Sequence, residues 1–288
     1  MDVFVELVFH GLIAACIYAL LASGLVFIYS TTRVFHLAHG GVIALSAYAF
    51  WFTTSVLSWN IVLSALMAIV TSTVLGLVMN ELVYEPLRRR NSKGLGYLIA
   101  TIALLMISGA LIIAIFGGQN QSLGFSSQVH VIVGAHVTTL QLLLMATTVV
   151  IFFLLHLLST HTRFGKTMRA TADNEVVASV LGIDTRQIRR LTFALGSALA
   201  GVAAIFYALE FNLDPNMGVM MAIKGFTAAV IGGPGSMTGA IVGSLLLSGV
   251  EQASVWYLGS SWRNAMAFTL LFIFLLMKPH GLFGRRFS

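Results

Sequence analysis

Residues 160–190, THTRFGKTMRATADNEVVASVLGIDTRQIRR, are the longest polar interval of the chain, and apolar runs precede and follow them. The interval carries six of the 16 basic residues and three of the ten acidic residues. They are Arg163, Lys166, Arg169, Arg186, Arg189 and Arg190, and Asp173, Glu175 and Asp184. Basic intervals of this kind are typical of loops that join membrane spans, and such a loop offers a surface to a soluble partner.

The composition of the 288-residue chain indicates a membrane protein. It is 58% hydrophobic and 9% charged, whereas a soluble domain has about 25% charged residues. Long continuous apolar runs favour helices over a β-barrel, whose strands give short alternating segments. The single cysteine, Cys16, provides neither a disulfide framework nor a cysteine metal site. The first apolar run has no basic segment before it and is longer than a signal-peptide core, so we expect it to be retained.

Apolar runs predict the number of membrane crossings, because a helix needs about 20 such residues to span the hydrocarbon core. Eight runs qualify, covering residues 4–29, 34–57, 61–83, 95–116, 140–158, 191–211, 240–258 and 264–277. A ninth run, residues 218–231, is short and is interpreted as a broken crossing or a re-entrant segment. The sequence therefore predicts an all-α polytopic integral membrane protein with eight to nine transmembrane helices in one domain, residues 1–288.

The distribution of charge predicts the orientation. If the N-terminus is outside and the spans alternate, 14 of the 16 basic residues lie on the cytoplasmic side, as membrane loops require. Outside residues 160–190 these are Arg33, Arg88, Arg89, Arg90, Lys93, Lys278, Arg285 and Arg286. The external segments then carry Asp2, Glu6, Glu210, Asp214 and Arg263. We expect an external N-terminus and a cytoplasmic C-terminus, and the net charge of +6 does not indicate a nucleic-acid-binding protein.

A short helix is predicted inside residues 160–190. Asp173 is suited to cap its first turn and Gly182 to end it. The apolar residues of this helix fall on one face; they are Val176, Val177, Val180 and Leu181. This face is suited either to a groove on another protein or to the membrane surface, and the spacing does not separate these alternatives.

One pattern in the same loop bears on nucleotide binding. Gly165-Lys166-Thr167 resembles the end of a phosphate-binding loop, but Thr160 occupies the position where that pattern requires glycine. We therefore expect that this chain does not hydrolyse nucleotides itself.

In a predicted external loop, residues 128–138, QVHVIVGAHVT, alternate between apolar and polar side chains around Gly134. This pattern predicts either a small surface ribbon or an ordinary loop.

Ionisable residues inside spans are functional candidates. Lys224 and Glu251 are expected to lie at similar depth, either as a structural ion pair or as a contact for substrate or gating. His36 and His39 lie beside Gly40 and are interpreted either as metal ligands or as polar residues lining a cavity at a glycine break. Neither a metal nor a cofactor is predicted.

Small residues at four-residue spacing predict close helix packing, either within one subunit or between subunits. One row is Gly235, Gly239 and Gly243, and the other is Ser197 and Gly201.

Five ordered blocks resemble the permease subunits of bacterial ABC importers for branched-chain amino acids. They are YALLASGLVFIYSTTRVFHLAHGG (18–41), EPLRRRNSKGLGYLIATIALLM (85–106), TRFGKTMRATADNEVVASVLGIDTRQIRRLTFALGSALAGVAA (162–204), MGVMMAIKGFTAAVIGGPGSMTGAIVGSLLLSGVE (217–251) and KPHGLFG (278–284). In this family asparagine usually stands at the position of His36 and an acid at that of Gly41.

The resemblance implies a translocation subunit without catalytic residues in the bacterial inner membrane. Its implied partners are a second, related permease subunit, two cytoplasmic ATPases and an extracytoplasmic solute-binding protein. The implied substrate is a branched-chain amino acid or a related small solute such as urea or a short amide. Residues 173–181 become the expected coupling helix, and the expected ATPase-coupling residues are Arg169, Asp173, Glu175, Val177, Val180 and Gly182.

Two other classes of membrane protein remain as alternatives to a permease subunit. An ion-coupled secondary transporter needs intramembrane acids, and Glu251 is the one acid well inside a predicted span. A membrane-embedded enzyme needs a nucleophile and a base, and no such motif is present.

Overall fold

The computed structural model describes residues 2–92, 94–125, 127–132, 134–278 and 280–284, without the side chains of residues 2 and 3. Lys93, Arg285 and Arg286, which contribute to the predicted charge asymmetry, lie outside the described residues. The helices are α1 (Asp2–Thr32), α2 (His39–Trp51), α3 (Ile61–Met79), α4 (Glu85–Arg89), α5 (Gly94–Phe116), α6 (Thr139–His161), α7 (Arg163–Asp173), α8 (Glu175–Val180), α9 (Thr185–Glu210), α10 (Met217–Gly232), α11 (Met237–Leu258) and α12 (Arg263–Met277). A π-helical turn, Phe52–Val56, extends α2, and another, Asn80–Tyr84, joins α3 to α4.

The bundle has two ends that differ in chemistry. At one end α7 and α8 lie against the end of α1 and the start of α9; we call this the basic end. At the other, the hairpin end, strand β1 (Val129–Ile132) pairs antiparallel with β2 (Ala135–Thr138). The predicted ribbon is therefore a hairpin, in which Ala135 and Val137 are buried and Val131 is exposed. Thr138 and Gln141 then form a capping box that starts α6.

Seven helical segments of the described residues are long and apolar enough to cross a membrane, and α10 is a shorter apolar helix. The polytopic all-α prediction is confirmed in this coarse form. The count of eight to nine crossings stays a prediction, because α2 and α10 are each too short to cross alone. α10 is an unbroken 16-residue helix, about 24 Å long.

The prediction of one span over residues 34–57 is wrong at its start. Residues 33–38 are not helical, and α2 begins only at His39. Arg33 has φ +57, a left-handed conformation that ends α1 and turns the chain back into the bundle. Apolar composition alone does not reveal such a break, because residues 34–38 are as apolar as a helix.

Helices α1 and α9 cross at two glycines in the middle of the bundle. A methyl group added to Gly24 would lie 2.6 Å from the carbonyl oxygen of Gly196, and one added to Gly196 would lie 2.7 Å from that of Gly24. The first turns of α2 and α10 meet in the same way at Gly40 and Gly218. These contacts leave room for a hydrogen atom but not for a side chain.

The first and last parts of the chain have the same order of helices. In each, a long helix (α1 or α9) is followed by a six-residue non-helical segment (33–38 or 211–216), a short helix and another long helix. The last helix of each part packs against the first helix of the other, so that α11 lies on α1 and α3 lies on α9. Many transporters are built from such structural repeats.

The small-residue rows pack within the chain, with one exception. Ser197 and Gly201 of α9 contact Gly76 and Ser72 of α3, and Gly239 and Gly243 of α11 contact the backbone of α10. Gly235 does not belong to this row, which corrects the prediction. It lies in the turn before α11, has φ +94, and a methyl group added there would meet no atom within 4 Å.

We predict that Gly24→Ala and Gly196→Ala lower the thermal unfolding midpoint of the purified protein, because overpacking a tight contact costs about 1–3 kcal/mol. Gly249→Ala is the matched control: it lies in a helix with open space around it, and alanine favours a helix over glycine by about 1 kcal/mol. Equal midpoints for all three variants would contradict the packing role of the Gly24–Gly196 crossing.

Candidate functional site

Helix α8 begins one residue later than the sequence suggested. Asn174 has an extended backbone, and its side chain accepts hydrogen bonds from the backbone N–H groups of Val176 (3.0 Å) and Val177 (3.1 Å). Asp173 is instead the last residue of α7, so its prediction as the N-cap is wrong. Both side chains carry a suitable acceptor oxygen, and only the backbone conformation decides between them.

Gly182 ends α8 as the sequence suggested. It has φ +84, and its N–H donates to the carbonyl of Ser179 (3.0 Å) while that of Ile183 donates to the carbonyl of Ala178 (3.0 Å). This pair of bonds is the Schellman motif, which satisfies carbonyls at a helix end.

The outer face of α8 is apolar and exposed. Val180 is 81% exposed, whereas Ala178, on the inner face, is 2% exposed. The other exposed apolar residues of this face are Val176, Val177 and Leu181. An exposed apolar patch on a short rigid element is suited to a protein partner.

An ion-pair network fixes the inner side of α8. Glu175, the first residue of the helix, pairs with Arg88 of α4 (2.8 Å) and with Arg189 of α9. Arg189 also pairs with Glu85 at the start of α4 (3.3 Å), and the side chains of Arg189 and Glu85 are only 6% and 9% exposed. Arg88 in addition donates to the carbonyl of Thr32 at the end of α1 (3.1 Å). Glu175 is thus connected to three other elements.

A second layer of charges extends the network toward solvent. Glu81 pairs with Arg186 (2.8 Å) and with Arg190 (3.0 Å), both in the first turns of α9. The sequence analysis identified Glu175 but missed Glu81, Glu85 and the role of Arg88. The sequence contains a signal for these partners, because Glu81 and Glu85 lie four residues apart just before the basic residues 88–90.

Arg169 lies apart from this network. It is on α7 and donates to the carbonyl of Ser159 near the end of α6. Its side chain lines a cavity of about 300 Å³ at the basic end, together with Asp173.

Lys224 and Glu251 form the ion pair that the sequence suggested. Lys224 Nζ lies 3.2 Å from Glu251 Oε1, and both side chains are buried between α1, α10 and α11. Tyr18 of α1, which the sequence analysis missed, accepts a hydrogen bond from Lys224 (2.8 Å) and donates one to Glu251 (2.8 Å). A tyrosine carries no charge at neutral pH, so the search for charged residues in spans did not find it.

His36 and His39 are brought together in the core. Their ring centroids are 5.7 Å apart, and His36 Nδ1 lies 2.7 Å from the hydroxyl of Tyr84. Among the described residues no cluster of three His, Cys, Asp or Glu is suited to hold a metal ion. Gly40 contacts Gly218, and His36 borders a void of about 20 Å³. That these residues line the translocation path stays a prediction.

Comparison with known proteins shows the family. A family model described as "Branched-chain amino acid transport system / permease component" matches residues 7–277. The chain is 31% identical to the high-affinity branched-chain amino acid transport system permease protein LivH of Salmonella typhimurium and to that of Escherichia coli K12, over 98% of this chain and 96% of each relative. It is 30% identical to BraD of Pseudomonas aeruginosa, over 96% of this chain and 94% of the relative.

A solved structure has a similar fold. PsaBC from Streptococcus pneumoniae in complex with Fab aligns with a TM-score of 0.54 at 14% identity, over 94% of this chain and 91% of that chain. At this identity the likeness supports the fold alone. The sequence comparisons settle the identity: the chain belongs to the family of permease components of branched-chain amino acid transport systems.

Proposed function

We propose that the chain is the translocation subunit of an ATP-driven importer and that α8 is its coupling helix. The observation that carries the proposal is the pairing of an exposed apolar face on α8 with a buried charge network behind it. A partner that moves α8 would pull on Glu175. Through Arg189 and Arg88 that displacement reaches α9, α4 and the end of α1.

The proposed assembly contains a second, related permease subunit, two ATPases at the basic end and a solute-binding protein at the hairpin end. The proposed location is the bacterial inner membrane, with the basic end in the cytoplasm. This orientation follows from the arginines of α4, α7 and α9, since basic loops stay on the cytoplasmic side. It leaves the N-terminus outside and the C-terminus inside.

The proposed substrate class is the apolar α-amino acids, because the similar proteins are named for branched-chain amino acid transport. Urea or a short amide is the alternative, based on His36 and Gly41. The ion-coupled alternative is disfavoured by the partners of Glu251, since a carboxylate held by Lys224 and Tyr18 is not available to carry a proton or sodium ion.

Replacement of the apolar face of α8 tests the docking proposal. We predict that Val177→Asp with Val180→Asp abolishes import while the chain still inserts into the membrane, because both side chains point away from the bundle. Import into proteoliposomes and co-purification with the ATPases are the measurements. Val177→Leu with Val180→Leu keeps the face apolar and is the matched control. Normal import by the aspartate variant would refute the role of α8.

Neutralisation of Glu175 tests transmission through the network. We predict that Glu175→Gln lowers the amount of solute imported per ATP hydrolysed, because the amide loses the ion pairs to Arg88 and Arg189 that transmit the displacement. Glu175 is partly exposed, so this change avoids the 3–5 kcal/mol or so expected from removing one partner of a fully buried pair. Glu6→Gln at the hairpin end is the control. An unchanged ratio would contradict the proposed transmission.

Uptake by the complete complex tests the substrate class. We predict ATP-dependent uptake of labelled leucine, isoleucine or valine by the permease pair with its ATPases and binding protein, and no uptake without ATP. Uptake of labelled urea or acetamide, with no uptake of the amino acids, would contradict the proposed substrate class and support urea or a short amide as the substrate.

A further inference from the structure

Helix α7 begins with two basic side chains that differ from the arginines of the ion-pair network. Arg163 and Lys166 are exposed and, being three residues apart on a helix, lie on the same face. Neither side chain makes an ion pair or a hydrogen bond within the described parts of the chain. Four other arginines at the basic end each pair with a carboxylate; they are Arg88, Arg186, Arg189 and Arg190. The charges of Arg163 and Lys166 are therefore available to a ligand.

The neighbouring helices bring no available carboxylate to this pair of charges. Helix α6, which leads into α7, contains no acidic residue. The one acid of α7, Asp173, is its last residue, seven positions and about 10 Å beyond Lys166. Glu175 of α8 is already held by two arginines. A positive patch of this kind attracts an anion from outside the chain.

The outer face of α6 indicates which anion is near. Thr162 alone separates α6 from α7, so Arg163 lies at the end of a candidate membrane span. The second half of α6 exposes large apolar side chains; they are Val149, Val150, Phe153 and Leu154. A membrane span with an apolar exposed face is suited to contact with lipid chains. The phospholipid headgroups at this end of α6 then lie beside Arg163 and Lys166.

The opposite face of α7 is fixed to the bundle. Met168 is buried in a small hydrophobic core with Leu155 of α6 and Ile188 of α9, and Phe164 packs against this core. Helix α7 is therefore apolar toward the protein, and its exposed face is basic near its start. Basic amphipathic helices are suited to the membrane surface, where anionic lipids attract lysine and arginine.

We propose that Arg163 and Lys166 bind the headgroup phosphate of an anionic phospholipid in the leaflet at the basic end. Residues three apart on a helix have Cβ atoms about 5–6 Å apart, so the guanidinium and the ammonium group reach the same phosphate. The position disfavours an ATPase as the ligand. Helix α7 has 11 residues and is about 16 Å long, so Arg163 lies at the end of α7 remote from α8. The lipid site itself does not depend on the proposed transport function.

Lipid binding at this place bears on coupling, and this part of the proposal rests on the proposed function. Asn174 alone separates α7 from α8. A lipid that holds the start of α7 at the membrane surface keeps α7 in place when a partner displaces α8. The displacement then passes through Glu175 to the core instead of shifting α7. We therefore expect faster import in membranes that contain anionic lipid.

Native mass spectrometry of the purified full chain in a neutral detergent measures the binding. The ligands added are phosphatidylglycerol, phosphatidylcholine and inorganic phosphate. We expect phosphatidylglycerol to bind more tightly than phosphatidylcholine, and inorganic phosphate not to displace it. Arg163→Gln with Lys166→Gln should weaken phosphatidylglycerol binding about thirtyfold, roughly fivefold for each charge removed. Arg163→Lys with Lys166→Arg keeps both charges and is the matched control, with the affinity of the unchanged chain.

Three results would overturn the lipid site. The first is unchanged phosphatidylglycerol binding by the glutamine variant, and the second is an equal loss of binding in the charge-keeping control. The third is displacement of phosphatidylglycerol by inorganic phosphate, which would assign the two charges to a small soluble anion. Both side chains are exposed, so the thermal unfolding midpoint of each variant should equal that of the unchanged chain.

The complete complex in proteoliposomes tests the consequence for coupling. We expect import to fall when phosphatidylglycerol is replaced by phosphatidylcholine, and the glutamine variant to import slowly in both membranes. A variant that keeps the dependence on phosphatidylglycerol would overturn the role of α7. Loss of ATPase co-purification by this variant in lipid-free detergent would assign the charges to the ATPase and overturn the lipid site. Normal lipid binding without import in any membrane would instead contradict the proposed function alone.

Discussion

Direct backbone contact between helices in the middle of the bundle is the constraint on which the rest of the structure depends. In lipid no hydrophobic drive pushes apolar helices together, so van der Waals contact and hydrogen bonds must hold them. Gly24 and Gly196 let α1 and α9 touch, and Gly40 and Gly218 do the same for α2 and α10. Once these four helices are in place, α3 and α11 have surfaces on which to pack.

The two buried charge clusters differ in what they connect. Lys224, Glu251 and Tyr18 join three helices of the core, so their hydrogen bonds fix a single arrangement. Glu175 and Arg189 instead join a small peripheral helix to the core. Under the proposed coupling role, the ion pairs of Glu175 carry a displacement of α8 to the core, whereas the core cluster joins helices to one another.

The sequence predicted features that depend on local chemistry. Gly182 ends α8 because a turn there needs a residue tolerant of positive φ, and the valine stripe follows from helical period alone. Asp173 and Asn174 are chemically equivalent as caps, so a one-residue error was unavoidable without the backbone. The non-helical residues 33–38 and the partners of Glu175 depend on contacts between distant segments. Arg88 and Arg189 are 87 and 14 residues away from Glu175 along the chain, and no local pattern joins them.

The buried pair of Lys224 and Glu251 has a consequence for how the protein is made. Synthesis proceeds from the N-terminus, so Tyr18 is already inserted when Lys224 leaves the ribosome, while Glu251 is still 27 residues behind. An unpaired lysine at the centre of a membrane helix costs about 3 kcal/mol. Helix α10 is therefore more stable in the bilayer once α11 lies beside it, because Glu251 then pairs with Lys224.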